Sequence, residues 1–176
     1  MSTPFTTRPV PDESAPYYHG YIAQVPDGNL IERLPEQTED TRHLFSQLTE
    51  DAAMRRYAPG KWSVKEVLGH LIDTERVMGY RLLRIARGDS TPLSGFDQDF
   101  FIAAGRFDAR KVSRLLEEYA AVRAATLELL RGLTEDDLAR RGTANSNPVS
   151  ARALAWIIAG HERHHLRVLR ERYDLS

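Results

Sequence analysis

From Ser63 to Gly88 the chain reads SVKEVLGHLIDTERVMGYRLLRIARG, without a proline and with apolar residues returning every three or four positions. That repeat belongs to a helix with one apolar stripe. Ser63 stands three residues before Glu66, the spacing at which the two side chains satisfy each other's orphan backbone N–H groups and start a helix. It is the best-marked helix start in the chain. A first helix begins near Leu30 with Ile31, Leu34, Leu44, Phe45 and Leu48 in register, and its Pro35 suits a first turn. A third runs from about Asp108 to Arg131 and a fourth from about Ser150 to Tyr173.

Gly, Ser, Thr and Pro fill positions 88 to 95, and FDQDFFIAAGRF can add only a short turn of helix, so a long crossover separates helices two and three. GTANSNPVS, before helix four, is turn chemistry. No strand-like alternation of useful length and no internal repeat is present. The expected fold is all-α, a four-helix bundle over residues 29–176. Residues 1–28, dense in proline, form an irregular N-terminal arm whose Tyr17, Tyr18, Tyr21 and Val25 could dock on the bundle. A second domain is not expected at 176 residues.

A formal charge of −1 gives no electrostatic footprint for nucleic acid or an anionic membrane. The absence of cysteine removes disulfides, thiolate metal sites and a cysteine nucleophile together. With no apolar leader and no long uncharged apolar run, a soluble, cytoplasmic protein is expected.

Three of the six histidines fall between positions 161 and 165, in AWIIAGHERHHLRVLRERY. On a helical projection Leu154, Ile157, Ile158, Val168 and Leu169 define one face, with His161 and His165 at its centre, about 40° apart and one turn removed from each other. His164 lies on the flank. A lone histidine in an apolar stripe reads as a core residue bonded to a carboxylate or carbonyl; a pair at i, i+4 points to a metal. A third protein ligand is then needed. His19 lies in the arm and His43 on helix one, whereas His70 is the one remaining histidine deep inside a long helix, beside its apolar direction with Thr74 and Arg81 near. Asp73 could hold the far nitrogen of His70, with Glu75 a second candidate; for both acids a helix-surface ion pair with Arg76 or Arg81 is the plainer alternative. His161, Glu162 and His165 also spell H-E-x-x-H. The zinc-protease pattern would next want glycine and histidine where Val168 and Glu171 stand, and no strand is available to hold a peptide, so that match is accidental.

The segments GKWSVKEVLGHLIDTER (60–76), LSGFDQDFF (93–101), NPVSARALAWIIAGHERHHLRVLRERY (147–173) and APYYHGYIAQVPDG (15–28) resemble the DinB/YfiT-like superfamily, also called the DNA-damage-inducible or metal-dependent hydrolase group. The likeness covers essentially the whole chain. It implies an up-up-down-down bundle, frequently a homodimer, and a link to stress response. It also implies a divalent metal, nickel or zinc, on His70, His161 and His165, with His164 matching the family's doubled histidine but not a ligand position. Relatives include transferases and isomerases that use bacillithiol, mycothiol or glutathione.

Three neutral imidazoles leave a divalent ion its full charge, able to ionise a bound thiol or to lower a bound water's pKa from 15.7 to about 7. Three functions are therefore open. One is transfer of a small cellular thiol to an electrophilic small molecule. Another is hydrolysis of a small amide or ester, with Glu162 or Asp73 as proton carrier. The last is a metal-containing binding protein without catalysis. Trp62 and Trp156 are expected as core or dimer-contact aromatics, Arg123 and Arg163 as helix-surface residues that could also receive an anion, and Asn145 and Asn147 as turn residues.

Overall fold

Ser63 Oγ accepts the Glu66 N–H at 3.0 Å and the Glu66 carboxylate accepts the Ser63 N–H at 2.8 Å, so the expected cap forms and starts one of the two longest helices. The structure, a computed structural model, describes residues 5–175. In chain order the elements are α1 (His19–Ile22), α2 (Leu30–Ser46), α3 (Glu50–Ala53), α4 (Val64–Ala86), α5 (Gln98–Gly105), α6 (Val112–Arg131), α7 (Glu135–Ala139), β1 (Arg141–Ala144), β2 (Asn147–Ser150) and α8 (Ala151–Tyr173). The four long helices α2, α4, α6 and α8 make the bundle. No helix among the described residues is long and apolar enough to cross a membrane.

The helix directions differ from the up-up-down-down order that the family resemblance implies. Tyr173, at the end of α8, donates to the Trp62 carbonyl at the start of α4, 2.7 Å away, so α4 and α8 are antiparallel. Glu50 pairs with Lys65 and accepts the Val112 N–H, which sets the starts of α4 and α6 side by side. Arg123 of α6 reaches Thr38 of α2, while Tyr119, one turn earlier, shares the Glu162 carboxylate with Thr41, so α2 and α6 are antiparallel. The order is up-down-down-up. The reason lies in the connections: up-up-down-down needs two crossovers that return the full length of the bundle, and this chain has one, residues 87–111. That crossover is pinned near its end, where Gly69 lets the Phe107 ring sit directly on α4; a Cβ there would lie 2.3 Å from the ring. Phe107 opens a short 3-10 turn, Phe107–Ala109, and the continuous helix begins at Val112 rather than at Asp108.

A second departure is the strand pair. β1 and β2 form an antiparallel hairpin across a two-residue loop in which Asn145 and Ser146 both adopt left-handed φ, 50° and 61°. This is the loop geometry whose twist matches paired strands. The arm is not a continuous helix. It folds as two short 3-10 turns and α1, and Ile22 and Val25 are buried in the same apolar cluster as Leu154 and Ile157 of α8, with Tyr18 packed against it. Residues 1–4 of the arm and residue 176 lie outside the described residues. A second apolar cluster, with Leu68, Ile72, Leu115 and Leu166, fills the opposite end of the bundle. Between the two lies a polar layer.

Candidate metal centre

His70 sits seven positions into α4, buried, with Thr74 one turn on at 3.4 Å from its Nδ1. Donation from Nδ1–H to the Thr74 hydroxyl leaves the Nε2 lone pair facing α8. There His161 Nε2 stands 3.0 Å from His70 Nε2 and 3.1 Å from His165 Nε2. The three residues offer ligand atoms all within 4.8 Å of one another, and no other such group of histidines and carboxylates occurs among the described residues. Desolvation lowers the pKa of His70 to about 4, with the nearby His164 adding to it. Desolvation likewise presses His161 and His165 well below the usual histidine range, reinforced by the neighbouring rings. All three rings are therefore neutral at pH 7, the form that binds metal. Three neutral nitrogens pointed at one another cannot all be satisfied by hydrogen bonds within the trio. A shared cation answers all of them, and two ligands each about 2.0–2.1 Å from one ion lie roughly 3 Å apart.

Aromatic side chains frame the cluster. Trp62 lies 4.8 Å from His70. Tyr21 of the arm stands edge-on to His161 at 5.5 Å and to His164 at 5.2 Å. Gly160 makes that approach possible, since a Cβ there would meet the Tyr21 carbonyl oxygen at 2.1 Å. The Tyr21 hydroxyl shares a hydrogen bond with Tyr17, 3.0 Å away, and burial raises its pKa, so it stays protonated. Beside His70 and His161 opens a pocket of about 240 Å³ reaching Met78, Arg81 and Phe96.

Glu162 and Asp73 stand elsewhere. Glu162 points away from the trio, to the seam with α2 and α6. One oxygen accepts from Thr41 at 2.6 Å and from Tyr119; the other accepts from Gln37 and Arg123, both at 2.5 Å. Asp73 lies 3.5 Å from Arg76, the ion pair weighed as its plainer role, and Thr74 holds the far nitrogen of His70 in its place. Glu75 is bound bidentately by Arg123 at 2.8 Å. Arg123 is thus no surface residue: it is 1% exposed, and the carboxylates on the apolar faces of α4 and α8 draw it inward. Arg163 donates to the Gln24 carbonyl and ties the arm to α8. His164 is half-buried outside the trio, His19 bonds to the Pro11 and Ser14 carbonyls, and His43 is exposed on α2. Trp156 is buried under the Arg8 guanidinium, whereas Trp62 belongs to the site wall. Thr74, one turn from His70, and Arg81, at the pocket's far end, had only their places on the helical projection to mark them.

The model of the DinB superfamily matches residues 33–169, which include all three histidines. Among solved structures, YfiT from Bacillus subtilis, described as "a probable metal-dependent hydrolase with an unusual four-helix bundle topology", superposes with a TM-score of 0.72. The match covers 97% of this chain and 95% of that one, at 17% identity. At that identity the likeness is one of fold. A search of curated protein sequences gave no significant match.

Proposed function

The chain belongs to the DinB superfamily, and from that premise we propose that it is a metal-dependent enzyme in which His70, His161 and His165 hold one divalent cation beside a pocket for a small molecule. The observation that carries this is the convergence of three neutral Nε2 atoms from two helices. An all-imidazole donor set suits nickel or zinc better than calcium or magnesium. Bound there, the cation would supply Lewis acidity to ionise a nucleophile beside it.

The protein's own groups bear on which nucleophile that is. Glu162 has four hydrogen bonds on its two oxygens, and Asp73 faces Arg76, so neither is poised to take a proton at the histidines. A nucleophile that gives up its proton easily fits such a site: a thiol, with a pKa near 8.5, asks far less than water at 15.7. Transfer of a small cellular thiol of the bacillithiol kind to an electrophile therefore stands first. Hydrolysis of a small amide or ester stands second, favoured by the description of the Bacillus subtilis structure. Tyr21 and Trp62 shield the histidines from bulk water on two sides in either case. Homodimerisation and a cytoplasmic setting complete the proposal, the first open to sedimentation.

Elemental analysis of purified protein tests the ligand set: about one equivalent of divalent metal per chain in the wild type, and a near-complete loss in His70→Ala and in His161→Ala. Full occupancy in either variant would end the assignment. Adding a small thiol to the cobalt-substituted protein should shift its visible spectrum. An unchanged spectrum in a protein that cleaves a test ester puts hydrolysis first. Chelation that only melts the fold, with no ligand perturbing the metal, leaves a structural ion in a binding protein.

A further inference from the structure

Arg81 lies three turns along α4 from His70, is 3% exposed, and is built unlike the other buried arginine. Arg123 has two carboxylates. Arg81 has none: among the described residues no acid forms an ion pair with it. Its Nη2 donates to the Ser94 carbonyl at 2.7 Å, its Nη1 points at the Met78 sulfur at 3.8 Å, and the Phe96 ring lies 5.8 Å away. The remaining acidic neighbour is the Tyr18 hydroxyl, which burial keeps protonated. A cation taken out of water without a counter-ion is strongly disfavoured. A guanidinium carries five N–H donors, more than Ser94, Met78 and the Tyr18 hydroxyl take up, and Arg81 lines the pocket; the contact to Met78 shows the side chain folded back along α4 toward the histidines.

We propose that Arg81 is the anion-recognising residue of this pocket, and that the enzyme's substrate or thiol carries a carboxylate that pairs with it. Three turns of helix less the one that the side chain recovers put the charged end about 11 Å from the reacting end at the histidines. Between the two the walls are Tyr18, Tyr21, Met78 and Ile157, which suit an apolar or aromatic body. A planar guanidinium matches a carboxylate through paired N–H donors, as an ammonium cannot. The location of the reacting end rests on the metal reading above; the anion site itself does not.

The test uses a matched pair of probes, 4-phenylbutyrate and its neutral isostere 4-phenylbutanamide, titrated by calorimetry into metal-stripped and metal-loaded protein. Wild type should prefer the carboxylate about ten-fold or more in both forms. Arg81→Gln should bind the two alike, and Arg81→Lys should retain part of the preference. Indifference of the wild type to the charge, binding of neither probe included, overturns the proposal without recourse to any variant. So does a preference that survives in Arg81→Gln, or one present only with metal, which would assign the anion to the cation. If the chain holds no metal at all, the preference in the stripped protein stands and only the metal reading fails. With a turnover assay in hand, charged and neutral versions of the thiol and of the electrophile, each against Arg81→Gln, identify which carries the carboxylate.

Discussion

Glu162 and His161 are neighbours on α8, and they enter two clusters with opposite economies of hydrogen bonding. Around Glu162 every partner is supplied from within: Arg123, Tyr119, Gln37 and Thr41 surround it, and Arg123 is shared with Glu75. Around His161 nothing from within suffices, because its Nε2 meets two more nitrogens of the same kind. A saturated polar cluster holds helices together; an unsaturated one waits for a ligand. One measurement, the unfolding free energy of the metal-free protein, separates the two.

The largest effect should come from the saturated side. Arg123→Met leaves Glu75 and Glu162 buried without their cation, and a loss of about 3–5 kcal/mol in urea unfolding is expected. A loss under 1 kcal/mol would mean that the network is not what joins α2, α4, α6 and α8. Next is pH. The unfolded chain protonates its histidines near 6.5, whereas His70 holds out to about 4 in the folded state, so protons favour unfolding between those values. Stability of the metal-free protein should be level above pH 6.5 and fall by roughly 3 kcal/mol from His70 alone as pH drops to 4. A flat profile over that window would show the rings to be solvated. On the unsaturated side, His161→Leu should abolish metal binding and yet raise the metal-free protein's stability by about 1 kcal/mol, the usual price of a functional polar group. Destabilisation by several kcal/mol would instead make His161 a structural residue.

The two clusters were also unequally legible in the sequence. His161 and His165 stand out because imidazoles in an apolar stripe conflict with their surroundings, and Ser63 with Glu66 announced the helix that brings His70 to them. Arg123 was misread because a long cationic side chain on a helix usually reaches water. Its signal was distributed, in carboxylates at Glu75 and Glu162 on the apolar faces of two other helices, and only the tertiary fold brings the three together. Helix direction is of the same kind: composition marked one long crossover between helices two and three, and that number, rather than the resemblance, held the topology. The hairpin was hidden by its brevity, since strands of four residues are too short to alternate visibly, although Asn145 and Ser146 are residues that tolerate the left-handed turn.

The smallest effect is the most discriminating, because it concerns a carboxylate that the sequence placed beside His70 and the structure turns aside. Asp73 is half-buried, and its pKa is raised by that burial against the pull of Arg76, so its ionised form gains little from the fold. Arg76 has a closer partner in Glu118, at 2.6 Å against 3.5 Å for Asp73. Asp73→Asn should therefore change stability by less than about 1 kcal/mol and leave metal content at the wild-type level. Thr74→Val, by contrast, removes the one hydroxyl on His70 Nδ1 and should weaken metal binding about 10-fold or more, as losses of a partner to a ligand's far nitrogen do. If the two variants exchange these outcomes, His70 is oriented by Asp73, and an acid belongs to the unsaturated cluster after all.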